Sequence, residues 1–158
     1  MTTFKKKVFT PKSFVVRVGL ATIYLPVLVK ALVRPQTSAA LREKVMLAVT
    51  AVNDCRYCAW AHTRLALMNG IALDEVNDLL ALSQVSAGSD ADGAAILFAQ
   101  HFADSDGKVD ADALAALSKY YNTAQIREIK AYIHTIFMNN LAGNSFDALL
   151  ARFSIKGF

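Results

Sequence analysis

The apolar positions along this chain do not alternate with the two-residue period of a strand over any long run. Only three prolines and seven glycines interrupt its 158 residues, so helical stretches can be long. The pattern predicts an all-α fold. We place the helices at about 12–33, 38–52, 55–69, 73–83, 90–104, 110–121, 123–141 and 145–153.

Local signals predict where several of these helices begin and end. Pro11 and Pro35 bound the first helix, and Pro26 is expected to kink or split it, because proline lacks the N–H that an interior helical bond needs. Gly70 is free to take the left-handed conformation that ends the third helix. Thr123 is a suitable N-cap for the longest late helix.

The length of the chain suits a single domain, 1–158. A chain of this size can bury about two-thirds of the surface that it exposes when unfolded. The stretch 83–93, which is rich in Ser, Gly and Asp, is interpreted as a loop between two helical groups.

The composition is more apolar than is usual for a soluble monomer. Hydrophobic residues make up 54% of the chain and charged residues 19%, against about a quarter charged in typical soluble domains. The excess apolar surface is expected to be buried, most simply in an interface between subunits. We therefore expect a homo-oligomer.

The net charge of +4 is unevenly distributed. Residues 1–64 contain eleven Lys and Arg against two acidic residues, while the remainder contains six against eleven. This asymmetry is interpreted as basic and acidic faces that meet between subunits or face water, with an anionic partner as the alternative. Because no nucleic-acid-binding motif accompanies the charge, we expect no nucleic-acid partner.

The beginning of the chain has the pattern of a signal peptide or membrane anchor, with lysines at 5–7 ahead of an apolar stretch at 14–33. Arg17, Pro26 and Lys30 interrupt that stretch, and no uncharged run approaches the roughly 20 residues that span a bilayer. We therefore expect a cytoplasmic protein without a membrane partner. In that reducing compartment a lone cysteine pair is catalytic or metal-binding rather than structural.

The candidate chemistry is concentrated at the start of the third predicted helix. Cys55 and Cys58 are the only cysteines of the chain, and His62 follows four residues later. At about 100° per residue, these three side chains and Ala66 share one helix face about 80° wide. Packing in a hydrophobic core does not by itself require two cysteines and a histidine at this spacing.

Glu43 is expected to join this face from the preceding helix. Asn53 and Asp54 are poor helix formers, so we predict a break there and an antiparallel helical hairpin. Residues equidistant from the turn then face each other, which places Glu43 opposite His62. Because the helical neighbours of Glu43 are mostly apolar, burial is expected to raise its pKa.

These positions suit thiol chemistry. The thiolate is the reactive species, and the start of a helix lowers the pKa of a thiol. His62 can take or relay the proton of Cys58, and Glu43 can orient His62 or complete the relay. Position alone leaves open which cysteine attacks, although the spacing to His62 favours Cys58. Two thiols three residues apart can close into a disulfide, which a reductant from outside must then reduce.

The four residues stand in the pattern Glu-x11-Cys-x2-Cys-x3-His, formed by Glu43, Cys55, Cys58 and His62. With the Asn-Gly helix end that follows, this pattern resembles the AhpD-like alkylhydroperoxidase group of the carboxymuconolactone decarboxylase superfamily. The resemblance implies an AhpD-like helical bundle assembled as a trimer or hexamer. It implies that Cys58 is the peroxidatic thiol and Cys55 the resolving thiol. Glu43 and His62 would then relay protons.

The resemblance implies a thiol-dependent peroxidase that reduces hydroperoxides through a dithiol–disulfide cycle, as in antioxidant defence. Its expected partners are a hydroperoxide substrate and an external dithiol reductant protein, and no cofactor is expected. One position departs from the family. Well-studied peroxidases of the group carry a histidine just before the second cysteine, where this chain has Tyr57. A phenol is a poor proton shuttle near neutral pH. The rate of peroxidase turnover, or the identity of the substrate, is therefore left open.

Two alternatives to thiol catalysis remain. A zinc site would use both cysteines and His62, with or without Glu43, but structural zinc usually takes four Cys or His ligands, so no metal is expected. A non-enzymatic alternative is a redox-sensing or scaffold oligomer in which the cysteine pair is vestigial. Outside this region, His134 is interpreted as a surface residue, because it shares a helix face with basic neighbours.

Overall fold

The computed structural model describes residues 6–82, 89–109 and 111–152. Within these ranges it contains seven α-helices and no strand, so the predicted all-α fold is confirmed. The helices are α1 (Pro11–Val33), α2 (Ala39–Asn53), α3 (Arg56–Met68), α4 (Leu73–Leu80), α5 (Asp90–Asp104), α6 (Ala111–Ser118) and α7 (Thr123–Arg152). Most of the predicted loop at 83–93 lies outside the described residues. The assignment of the chain to a single domain stays a prediction.

α2 forms the centre of the fold. It packs against α3, α4, α5 and α7, while α1 packs on α7. One buried apolar cluster joins these helices. Among its largest fully buried side chains are Leu47, Val49, Leu79, Ile129, Ile133 and Phe137. Because close-packed neighbours surround α2, the side chains that it directs toward α3 are held in fixed positions.

The turn between α2 and α3 produces the predicted helical hairpin. α2 ends at Asn53, Asp54 takes a left-handed conformation with a φ of 52°, and α3 begins at Arg56. Asp is one of the few residues besides glycine that adopt this conformation readily. Cys55 is the N-cap of α3, so the two cysteines open this helix as predicted.

α7 is one helix of 30 residues, and the predicted division into helices at 123–141 and 145–153 is wrong. Gly143 and Asn144 are poor helix formers, and glycine costs about 1 kcal/mol relative to alanine. Both residues lie on the face of α7 that contacts the α2–α3 turn. Tertiary packing therefore outweighs their local preference.

The other predicted helix ends agree with the structure in part. Pro11 is the first residue of α1, and Gly70 follows α3 with a φ of 82°, as predicted. Pro26 lies inside α1 without ending it. Asn122 rather than Thr123 caps α7, because the Asn122 Oδ1 accepts the first free backbone N–H groups of that helix at 2.9 and 3.0 Å.

α1 exposes a large amount of apolar side chain. In the described part of the chain it is the one helix that is long and apolar enough to cross a membrane. Only 11% of its apolar 18-residue segment is buried. Signal sequences and core helices of soluble proteins can have the same length and hydropathy. These properties of α1 therefore neither establish nor exclude a membrane-spanning segment. The exposed large apolar residues of α1 are Phe14, Val15, Val16, Val18, Ile23, Leu25, Val29, Leu32 and Val33.

His134 is not a surface residue, and that prediction is wrong. Its ring stacks on Tyr24 of α1 with centroids 4.7 Å apart, and it meets Phe102 of α5 edge-on at 4.9 Å. Burial, with a smaller contribution from the charge of Arg17, lowers the pKa of His134 to about 4. The imidazole is therefore neutral near pH 7 and acts as a packing element between three helices.

Candidate redox site

The two cysteines lie side by side at the N-terminus of α3. Their Sγ atoms are 2.7 Å apart, and the backbone N–H of Cys58 donates to Cys55 Sγ over 3.4 Å. This contact follows from the N-cap position of Cys55, because an N-cap side chain turns back toward the third residue of its helix. Both thiols are free and buried, with exposed fractions of 1% for Cys55 and 9% for Cys58. Cys58 is therefore the more exposed residue of the pair.

One thiol of the pair is unusually acidic. The hydrogen bond from the Cys58 thiol lowers the pKa of Cys55 to about 6, and backbone N–H groups add to this effect against the cost of burial. The same contact, together with burial, raises the pKa of Cys58. Near neutral pH the pair therefore shares one proton, with a thiolate at Cys55 that accepts a hydrogen bond from the Cys58 thiol. The charge rests on the less exposed sulfur.

Glu43 and His62 form a second pair across the α2–α3 hairpin. Glu43 Oε2 lies 2.7 Å from Nδ1 of His62, so the predicted proximity of these residues is confirmed. Glu43 is 1% exposed, and its Oε1 accepts a hydrogen bond from Nε of Arg42 at 2.8 Å. Each oxygen of the buried carboxylate therefore has a polar partner.

The pKa of Glu43 moves in the direction opposite to the expected one. Burial raises it, but the hydrogen bonds and charges of His62 and Arg42 together outweigh burial and hold the pKa below its ordinary value. The expectation of a raised pKa is wrong because it weighed burial alone, without the hydrogen bonds that His62 and Arg42 make to the carboxylate. An ionised carboxylate only accepts hydrogen bonds, so Nδ1 of His62 carries a proton and Nε2 is left to exchange one.

Tyr57, which stands between the two cysteines, ties the start of α3 to α7. Its hydroxyl donates to Asp147 Oδ1 at 2.7 Å. The guanidinium of Arg56 donates to the same carboxylate oxygen and to the Tyr57 hydroxyl, both at 2.8 Å. The Tyr57 ring also meets Phe146 with centroids 6.2 Å apart. The phenol is therefore engaged with α7, and this contact anchors the cysteine turn.

Three residues of α7 border the site, and sequence analysis did not identify them. Asn140 and Asn144 have no exposed surface, and Gly143 lies between them against Cys55. Asn144 Nδ2 donates to the backbone oxygen of Asn53 at 2.7 Å. A sequence signal for them exists, because they occupy the i, i+3 and i+4 positions of a helix whose other buried positions are mostly apolar.

The four predicted site residues form two pairs, one of sulfurs and one of carboxylate and imidazole. Among the residues that the structure describes, no group of three or more Cys, His, Asp and Glu side chains is arranged to hold a metal ion. Both pairs lie on the same helical hairpin, because His62 follows Cys58 by one turn of α3. The catalytic roles of the four residues stay predictions.

The comparison with known protein families agrees with the motif. Residues 27–101 match the model of the carboxymuconolactone decarboxylase family, so the predicted resemblance is confirmed at the level of the family. No curated protein matches the chain. The matched segment contains both cysteines, Glu43 and His62, and it ends within α5, ahead of the α7 residues that border the site. This family includes enzymes, among them decarboxylases and AhpD-type peroxidases.

Proposed function

We propose that this chain, whose residues 27–101 match the carboxymuconolactone decarboxylase family, is a thiol-dependent peroxidase that reduces hydroperoxides through Cys55 and Cys58. The proposal is carried by the sulfur pair, whose Sγ atoms are 2.7 Å apart and whose first thiol ionises at a pKa of about 6. Reduction of a peroxide takes two electrons, and a dithiol that closes to a disulfide supplies two. The reaction also consumes a proton, which the imidazole–carboxylate pair on the same hairpin can deliver.

The first step is attack on the peroxide by the more accessible sulfur, Cys58. Transfer of the shared proton between the sulfurs, over 2.7 Å, moves the charge from Cys55 to Cys58. The Cys58 thiolate attacks the outer oxygen of ROOH, which breaks the O–O bond and leaves a Cys58 sulfenic acid and RO⁻. His62 takes a proton from solvent at Nε2 and delivers it to RO⁻, which becomes the alcohol ROH.

The second step closes the disulfide. The Cys55 thiol attacks the sulfur of the Cys58 sulfenic acid, and its proton leaves with the hydroxyl group as water. Over both steps, the monoanionic dithiol, one hydroperoxide and one proton give the disulfide, one alcohol and one water. An external dithiol protein then reduces the disulfide by thiol–disulfide exchange and is itself oxidised.

Glu43 orients His62 in this scheme and does not exchange the proton itself. Its pKa is held below the ordinary carboxyl value, so it stays ionised throughout the neutral range. The carboxylate fixes a proton on Nδ1 of His62 across 2.7 Å and stabilises the imidazolium that forms when Nε2 is protonated. The proposed division of roles is therefore an imidazole that moves the proton and a carboxylate that holds the imidazole.

We also propose that the protein is a cytoplasmic homo-oligomer, a trimer or a hexamer. The exposed apolar residues of α1 support an assembly, because monomeric soluble proteins rarely expose large apolar patches. The apolar composition of the whole chain supports it as well.

A second candidate is a redox-sensing scaffold whose cysteine pair is oxidised without turnover. The burial of both cysteines favours it, because a substrate and a large reductant must each reach residues that are only 1% and 9% exposed. Turnover distinguishes the two candidates, since a sensor reacts once and a peroxidase is recycled by its reductant.

Single-turnover oxidation tests the proposal. Reduced wild type, Cys55→Ser and Cys58→Ser are mixed with an organic hydroperoxide in the presence of a sulfenic-acid trap, and the products are identified by mass spectrometry. Wild type is expected to form the disulfide, Cys55→Ser to form trapped sulfenic acid at Cys58, and Cys58→Ser to form none. The reverse pattern in the variants would exchange the two cysteine roles. Absence of peroxide consumption by wild type would contradict the peroxidase.

A further inference from the structure

A polar stripe on α7 lies along the turn that carries the two cysteines. Its members are Asn140, Gly143, Asn144 and Asp147, which share one face of the helix. Gly143 marks the closest approach, because a Cβ at this position would lie 2.8 Å from Cys55 Sγ. The backbone of α7 therefore comes directly against the sulfur pair, and the stripe is in reach of it.

The amide of Asn140 is held in one orientation by two polar neighbours from α2. Asn53 Nδ2 donates to Asn140 Oδ1 at 3.2 Å, and Asn140 Nδ2 donates to Thr50 Oγ1, also at 3.2 Å. The oxygen of the amide is thus turned toward Asn53 and its nitrogen toward Thr50. An amide nitrogen carries two N–H groups, so one of them remains after the bond to Thr50.

The remaining N–H of Asn140 belongs to a side chain one helical turn before Gly143, on the face of α7 that packs against Cys55. Asn140 has no exposed surface, so water does not compete for this donor. Its side chain lowers the pKa of both Cys55 and Cys58, a contribution smaller than those of the sulfur–sulfur contact and of burial. A single neutral donor therefore favours the thiolate form of either cysteine.

We propose that Asn140 is a further residue of the redox centre, whose amide N–H binds whichever sulfur carries the negative charge, while Asn53 and Thr50 hold the amide in place. This inference rests on the proposed function, in which the charge moves from Cys55 to Cys58 before the peroxide is attacked. A donor that favours the ionised form of both thiols stabilises the thiolate before and after that transfer. Asn140 thereby keeps an attacking thiolate available at the more accessible sulfur.

Charged groups also surround the sulfur pair, and any pH dependence has to be interpreted with them in view. The hairpin contributes the pair formed by Glu43 and His62. Asp147 of α7 is bonded to Arg56 and Tyr57. Lys6 of the N-terminal segment forms an ion pair with Asp54. None of these contacts includes Asn140, so substitutions of Asn140 leave them in place.

The pH dependence of thiol alkylation tests the inference. Reduced wild type, Asn140→Ala and Asn140→Asp are alkylated with iodoacetamide over a range of about pH 5 to 9, and the midpoint of the rate profile is compared. Loss of the N–H in Asn140→Ala is expected to raise the midpoint by about one unit and to slow alkylation at pH 6 roughly fivefold. Asn140→Asp keeps the shape of the side chain but places a negative charge beside the thiolate, so its midpoint is expected to rise further.

Asn144→Ala is the matched control. It removes the same amide from the same face of α7, where Asn144 Nδ2 donates to the backbone oxygens of Asn53 and Lys7 at 2.7 and 3.0 Å. We expect this variant to lose stability while keeping the wild-type midpoint. A wild-type midpoint in both Asn140 variants, or an equal shift in Asn144→Ala, would overturn the inference.

Alkylation needs no peroxide, so this experiment separates the inference from the proposed function. A raised midpoint in the Asn140 variants supports the role of Asn140 even where wild type fails to consume hydroperoxide, and in that case only the peroxidase is contradicted. Peroxide consumption by wild type together with unshifted Asn140 variants contradicts only the role of Asn140.

Discussion

Gly143 of α7 lies so close to Cys55 that a Cβ at this position would stand 2.8 Å from the cysteine Sγ. Real Cβ atoms essentially never make contacts of this length, so an added methyl group has to displace the sulfur or the helix. The same Cβ would lie 3.3 Å from Cδ2 of Tyr57. The absence of a side chain at Gly143 therefore sets how closely α7 approaches the sulfur pair.

Gly143→Ala is expected to destabilise the folded protein by about 1–3 kcal/mol, because overpacking outweighs the roughly 1 kcal/mol that alanine gains over glycine in a helix. In a Cys55→Ala background the Sγ is absent, so the same substitution is expected to stabilise. Chemical unfolding of the two single variants, the double variant and wild type measures this coupling. Equal destabilisation in both backgrounds would mean that Sγ is not the obstacle.

Sequence alone predicted the parts of the site that depend on local spacing. Helical periodicity placed Cys55, Cys58 and His62 on one face, and the poor helix formers at the turn placed Glu43 opposite His62. Both predictions need only the geometry of a helix and the position of a break. They are confirmed because the hairpin forms from consecutive segments of the chain.

The parts that depend on contacts distant in the sequence could not be predicted. The continuity of α7 through Gly143 follows from packing against Cys55, which lies far earlier in the chain. Asn140 meets Asn53, at the turn that carries the cysteines, only because α7 folds back onto the hairpin. The direction of the pKa shift at Glu43 depends on the hydrogen bonds that His62 and Arg42 make to it together, and spacing does not decide the conformations of these side chains.

The acidity of Cys55 is expected to depend on the hydrogen bond from its partner. Cys58→Ala removes the S–H donor that lowers the pKa of Cys55 to about 6, so that pKa is expected to rise toward the ordinary thiol value of about 8.5. Cys58→Ser keeps an O–H donor at the same place and is expected to keep the pKa low. Thiolate absorbance near 240 nm, followed against pH, measures both variants. The same titration midpoint in the two variants would contradict the role of this donor.

Glu43 is expected to make the folded protein sensitive to acid. Burial raises its pKa, but the bonds from His62 and Arg42 prevail, so the folded-state pKa lies below the unfolded one. Its contribution to stability is then fully present above the unfolded value of about 4.3 and is lost as the pH falls through the folded-state pKa.

Glu43→Gln tests this contribution to acid sensitivity. The variant is expected to have a lower free energy of unfolding than wild type at neutral pH and a smaller decline below about pH 4.5, as measured by urea unfolding at several pH values. Asp147→Asn serves as a control, because it removes a carboxylate from a partly exposed cluster on the other side of the turn. Parallel stability curves for wild type and Glu43→Gln would show that this carboxylate does not titrate differently on folding.

Tyr57→Phe is expected to leave thiol chemistry nearly unchanged. The phenol hydroxyl is engaged by Asp147 at 2.7 Å and by Arg56 at 2.8 Å, so the variant loses an anchor of the turn and no proton donor to the peroxide. The rate of peroxide oxidation is expected to stay within about twofold, and the free energy of unfolding to fall by about 1 kcal/mol. A loss of oxidation rate of tenfold or more, without a comparable loss in stability, would instead assign the phenol to the proton relay.

The exposed apolar residues of α1, which lie on more than one side of the helix, are expected to form subunit contacts in the proposed homo-oligomer. Ile23 and Leu32 are 65% and 83% exposed, so a charge at either position does not disturb the core of one chain. Ile23→Glu and Leu32→Glu are expected to reduce the mass measured by light scattering during size-exclusion chromatography, because a carboxylate buried against an apolar partner loses its hydration. Leu97→Glu, which changes a residue of α5 that is 66% exposed, is the control and is expected to keep the assembled mass. A wild type that elutes as a monomer contradicts the oligomer, whereas an assembled mass in all three variants places the interface on a surface other than α1.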